Sequence, residues 1–266
     1  MTTFEELAIK PHCIRIKAWA IALWVPLLIA PASAQTLSYE PVGLAWTARE
    51  VEQASLGSLQ ILTQRAVREN KMGCKQYCKR LHRIFSSLLP HARAQSLAAL
   101  QRDWSLTVVR LPGTDAMALP GGQIVISEDF IRHNRLSDEA IAFVLAHEMA
   151  HSILEHERQA LTLARMLLPR GVNRTVDDIY VEMSFNHTLF KALEPVMQQG
   201  ELEADELGLL LAAKAGYAPD KQITFIAREA AREIPYRPLV ATHPSAKQRL
   251  EKLRERLPLA RRLHPG

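Results

Sequence analysis

The sequence is poor in several residue types, and each shortage excludes a class of protein. Only three cysteines occur in 266 residues, too few for a disulfide-framed scaffold or a four-thiolate zinc cluster. Aromatic residues make up 6% and are scattered, leaving no stacking platform interleaved with basic side chains, so no nucleic-acid partner is expected. Neither charge sign dominates, since 33 Lys and Arg face 28 Asp and Glu. Internal repeats and low-complexity tracts are missing, which argues against a solenoid or a disordered linker. After residue 34 no apolar run reaches membrane-spanning length. A soluble protein, or one peripheral to a membrane, is therefore expected.

What the chain does have is apolar bulk. Hydrophobic residues make up 48% of it, enough to bury a sizeable core. At the N-terminus Lys10, Arg15 and Lys17 precede an apolar run over 18–30, and Ala32-Ser33-Ala34 follows before Gln35. This order reads as a signal peptide over 1–34, hence export to the periplasm, with a mature domain over 35–266. An uncleaved anchor is the alternative. Cys74 and Cys78 remain in the mature chain. On a helix they would stand one turn apart, close enough for a disulfide, and two half-buried thiols are the other reading.

The pattern predicts a helix over Thr47–Leu89 ending before Pro90, then a strand over Trp104–Leu111. A second strand, a Pro120-Gly121-Gly122 turn and a third strand over Gln123–Ser127 follow. A helix starts at Ser137, a good N-cap with Asp138 and Glu139 behind it. Another runs from about Gln199 to Ala215 and stops at Gly216. A basic amphipathic helix ends near Arg262. The fold class is α+β, mostly helical, with a small sheet.

Within the Ser137 helix stands His147-Glu148-Met149-Ala150-His151, an H-E-x-x-H pattern. At i and i+4 the imidazoles share one face and can reach one Zn2+. Glu148 can point to the ion's open side and take a proton from water. A third ligand six residues after His151 fails, because position 157 is Glu157 and His156 lies one residue out of register. The later Glu201-Leu202-Glu203-Ala204-Asp205 fits instead, with Glu201 as ligand and Asp205 accepting a hydrogen bond from a ligand imidazole. Glu203 and Glu206 are expected to be solvated.

Together these residues resemble the HtpX/BepA-like peptidases of metallopeptidase family 48, whose pattern is H-E-x-x-H followed by E-x-x-A-D. Ala118 through Ile126, Ala215-Gly216-Tyr217-Ala218-Pro219 and Thr242-His243-Pro244-Ser245 with Arg249 are similar to further family segments, in family order. The resemblance implies a zincin-type domain and a zinc metalloendopeptidase acting on peptide or unfolded-protein substrates in envelope quality control. Glu148 would be general base and acid. His243 would stabilise the oxyanion or cap the metal; a plain turn residue before Pro244 is the alternative. It further implies that Gly121, Gly122, Gln123, Ile124 and Val125 bind an extended peptide by edge pairing. A latent, chaperone-like zinc protein with a capped site is the competing reading.

Overall fold

The computed structural model describes residues 44–169, 173–233 and 242–266. The segment 1–34, expected as a signal peptide, lies outside them. Among the described residues no helix is long and apolar enough to cross a membrane.

Thr47 caps α1 (Ala48–Arg68) by a reciprocal pair with Glu50. The single helix predicted to Leu89 is in fact two. Asn70 and Gly73 take positive φ, and the chain turns so that Met72 bridges Val109. α2 (Cys78–Arg93) then begins, with Cys74 in the preceding loop disulfide-bonded to Cys78. The buried carboxylate of Glu128 holds that loop, accepting backbone N–H bonds from Lys75, Gln76 and Tyr77 at 2.8, 2.5 and 2.9 Å. α2 does not stop at Pro90. It buries Leu81, Ile84, Phe85, Leu88 and Ala92 in one continuous stripe, and that burial outweighs the one N–H lost at proline.

After α3 (Leu97–Gln101) come β1 (Ser105–Val109), β2 (Ala116–Leu119) and β3 (Gln123–Ser127). The sheet order is β1-β3-β2, with β1 parallel and β2 antiparallel to β3. Alternation decides the two faces. Val108, Ile124 and Ile126 join the main core, whereas Val109 and Val125 pack with Ala66 of α1. Gly121 and Gly122 turn the β2–β3 hairpin at φ +92° and +89°, and a Cβ on either would strike the side chain of Glu52 or Arg102.

α4 (Glu128–His133) leads to α5 (Asp138–Leu154), capped by Ser137 as expected. α5 is buried nearly all round, including Ile141, Phe143, Leu145 and Met149, so it occupies the centre of the molecule. α6 (His156–Leu167) and α7 (Val176–Phe185) build a second apolar cluster with Val51 of α1. The helix expected from Gln199 begins earlier. α8 (His187–Lys214) carries Pro195 inside it, because Leu189 and Leu193 are already buried in that second cluster. At its far end Gly216 and Tyr217 donate to Ala213 and Ala212, closing the helix as predicted. α9 (Pro219–Gln222), α10 (Thr224–Arg232) and α11 (Ala246–Leu263) complete the described chain.

Candidate metal centre

α5 and α8 pack against each other at small residues. Ala204 is fully buried, and a Cβ on Gly208 would lie 2.8 Å from the backbone nitrogen of His147. This close approach carries the acidic face of α8 to the imidazoles of α5. His147 Nε2 and His151 Nε2 are 3.0 Å apart. Glu201 Oε2 lies 3.5 Å from the first, and Oε1 lies 3.3 Å from the second.

Those three separations suit one ion. Nitrogen and oxygen ligands at about 2.0–2.2 Å in tetrahedral array stand roughly 3.3–3.5 Å from each other. Two bare imidazole nitrogens at 3.0 Å cannot bond without a proton or a cation between them. Glu201 Oε2 is buried and accepts no hydrogen bond, an orphan that a cation would satisfy. Burial opposes charging His147, yet the carboxylates of Asp205 and Glu201 outweigh it and push its pKa up to about 10. Glu201 is held below the carboxylate range despite its burial, by His147 and His151 beside it. Both shifts express one demand, for positive charge between these groups.

Asp205 Oδ1 lies 3.0 Å from His147 Nδ1. Arg249 of α11 forks onto the same carboxylate, at 2.7 Å from Nε to Oδ2 and 2.6 Å from Nη2 to Oδ1. Sequence reasoning quoted Arg249 only as a motif letter, and its salt bridge to Asp205 is new. Glu203 is not merely solvated, since its Oε2 lies 3.2 Å from His156 Nε2. Glu206 pairs with Arg256 at 2.9 Å.

Glu148 faces a cleft of about 940 Å³ that His147, His151, Glu201 and His243 also line. Burial raises its pKa, and Glu201 adds to this; His147, the backbone N–H of Ala118 and Arg249 oppose it. His243 is exposed. Its Nε2 lies 3.5 Å from Glu201 Oε1 and its Nδ1 2.8 Å from Thr242 Oγ1.

The expected peptide-binding strand is a correction. β3 is the central strand, paired on both sides, and Ile124 and Val125 are fully buried. Its backbone groups are spent in the ladder, so Gln123, Ile124 and Val125 cannot pair with a peptide. Gly121 lines the cleft, but Gly122 does not. Of the two edge strands it is β2 whose Ala116, Met117, Ala118 and Leu119 line the cleft. Nothing in a linear pattern of three short strands reveals which one lies in the middle.

Residues 75–257 match peptidase family M48. The mitochondrial metalloendopeptidase OMA1 of Schizosaccharomyces pombe is 32% identical over 162 residues, which cover 59% of this chain and 48% of that protein. Metalloendopeptidase OMA1, mitochondrial, of Homo sapiens is 30% identical over 130 residues, 43% of this chain and 24% of that protein. The beta-barrel assembly-enhancing protease of Escherichia coli is 26% identical over 156 residues, 53% of this chain and 32% of that protein. The matched chain thus spans about half or less of the length of these relatives.

Proposed function

The chain belongs to peptidase family M48, and from that premise we propose that it is a zinc-dependent endopeptidase with His147, His151 and Glu201 as metal ligands. The observation that carries this reading is the triangle of 3.0, 3.3 and 3.5 Å between the two Nε2 atoms and the Glu201 carboxylate. When bound, zinc supplies Lewis acidity there, polarising a scissile carbonyl and lowering the pKa of water toward 7.

The rest is work for side chains and backbone. β2 offers its free edge to an extended substrate, so that main-chain bonds place the scissile bond over the site. Met117 and Leu119 on that strand, with Met183 and Met197 across the cleft, favour apolar side chains on an unfolded segment. Glu148, raised in pKa by its burial, takes a proton from water and returns it to the leaving amine. His243, at the open side, donates to the developing oxyanion. Its 3.5 Å approach to Glu201 favours a second reading as well, in which His243 caps the site and the enzyme is latent.

Glu148→Gln should keep its metal and lose cleavage of unfolded casein by at least about 100-fold, the usual scale for removing a general base. Wild-type turnover in that variant would end the mechanism. Export to the periplasm and a part in envelope protein quality control belong to the same proposal. They are supported by the basic, apolar and small-residue order of residues 10–34 and by the disulfide between Cys74 and Cys78. Mass spectrometry of the purified protein should find Gln35 as its first residue. A retained apolar segment would instead make it an anchored enzyme.

A further inference from the structure

His156 begins α6 directly after Glu155, which takes a left-handed φ of 55°. That kink swings the ring back toward α5 and α8, where its side chain is only 10% exposed. His156 Nδ1 lies 2.9 Å from His151 Nδ1, and its Nε2 lies 3.2 Å from Glu203 Oε2. Gln199 Nε2 in turn donates to Glu203 Oε1 at 2.8 Å. The ring rests on Gly200, where an added Cβ would lie 3.1 Å from its Cγ.

With both rings neutral, proton counting leaves one consistent arrangement. The acceptor-only carboxylate of Glu203 requires a proton on His156 Nε2. His156 Nδ1 is then a bare acceptor, and His151 Nδ1 must donate to it. The lone pair of His151 is thereby left on Nε2, the atom that faces Glu201 and His147. We infer that His156 and Glu203 form a positioning relay that fixes the tautomer and ring angle of His151 for metal binding, as Asp205 does for His147. The inference rests on the zinc reading above. It gives each ligand imidazole its own carboxylate, one in direct contact and one through a second ring.

The test measures zinc affinity by chelator competition in wild type, His156→Ala, His156→Asn, Glu203→Ala and the double variant His156→Ala/Glu203→Ala. The melting temperature of each EDTA-stripped protein is recorded beside it. His156→Ala should weaken zinc binding roughly 10–100-fold, the usual scale for groups that orient metal ligands. In His156→Asn the amide oxygen can take the place of Nδ1, so affinity should return to within a few-fold of wild type. The double variant should bind no worse than His156→Ala, because the carboxylate acts only through the ring. Stripped melting temperatures should stay together.

Wild-type affinity in His156→Ala would overturn the relay. So would a stripped His156→Ala protein that melts well below wild type with no rescue by Asn, which would make the ring a packing residue. A wild-type protein that takes up no stoichiometric zinc would sink the metal reading itself and the relay with it. Normal uptake by wild type with unchanged His156→Ala removes the relay alone.

Discussion

Two imidazoles one turn apart on α5 are anchored in opposite ways. On one side His147 meets Asp205, which is 1% exposed, and Arg249 closes the contact with a two-pronged salt bridge from α11. Three helices are tied together at that point. On the other side His151 meets His156, and the chain of contacts ends on Glu203, a carboxylate that is 22% exposed. The first arm is part of the core and bears on stability as well as on the metal. The second arm can be lost without leaving a charge buried. Similar chemistry thus carries different energetic weight, decided by how much water reaches the far end of each arm.

The largest effect should come from cutting the inner arm. Asp205→Ala would leave the guanidinium of Arg249 buried with no salt bridge among the described residues but its 4.0 Å approach to Glu201 Oε2. Removing one partner of a buried pair costs about 3–5 kcal/mol. Glu203→Ala, by contrast, should cost about 1 kcal/mol or less, because the carboxylate it removes is 22% exposed and a neutral ring, not a charge, is left behind. Thermal unfolding of both stripped proteins checks the contrast, and equal losses would erase it.

How far this contrast was legible in the sequence depends on which contacts are local. The H-E-x-x-H helix, its Ser137 cap and the Gly216 stop follow from spacings of a few residues, and the structure has them where expected. The carboxylate of Glu201 was readable because E-x-x-A-D sets a one-turn spacing on one face. Arg249, by contrast, sits 44 residues beyond Asp205, a separation that no periodicity reports. His156 and Glu203 were set aside because counting along one helix assumes that the helix continues. The left-handed Glu155 breaks it and redirects the ring. The central place of β3 was hidden for a related reason: strand order is a property of pairing, and three short apolar strands carry the same pattern whichever is central. The turn at Asn70 and Gly73 was available as a helix-stop signal, but the apolar stripe on both sides of it masked the break.

A third buried carboxylate sharpens the comparison, because Glu128 serves backbone alone. Burial pushes its pKa up, but the N–H groups of Lys75, Gln76 and Tyr77 outweigh it and the net shift is downward. A carboxylate depressed on folding contributes its full stability above the unfolded value, near 4.3, and loses it as pH falls through the folded value. Urea unfolding of wild type should therefore show stability falling as pH drops below about 4.3. Glu128→Gln should lower stability at pH 7 by about 1–2 kcal/mol, since one amide oxygen cannot satisfy three donors. It should also flatten the acid limb. An unchanged limb would mean that the acid sensitivity belongs to the inner arm instead.

The smallest expected effect is the most selective. Gly200 lies inside α8, where alanine is the better helix former by about 1 kcal/mol. Its added Cβ, however, would press on the His156 ring at 3.1 Å from Cγ and 3.3 Å from Nδ1. The ring must give by a few tenths of an ångström, which lengthens or tilts its contact with His151. In Gly200→Ala the two terms nearly cancel in the stripped protein, so its melting temperature should move by only a few degrees. Zinc affinity should still fall several-fold, as it does when a ligand's orienting partner is displaced. Stability and metal binding would then part company at a residue whose added methyl presses on the His156 ring and not on a ligand side chain, as an arm that orients without supporting requires. If Gly200→Ala lowered both together, the outer arm would be as structural as the inner one.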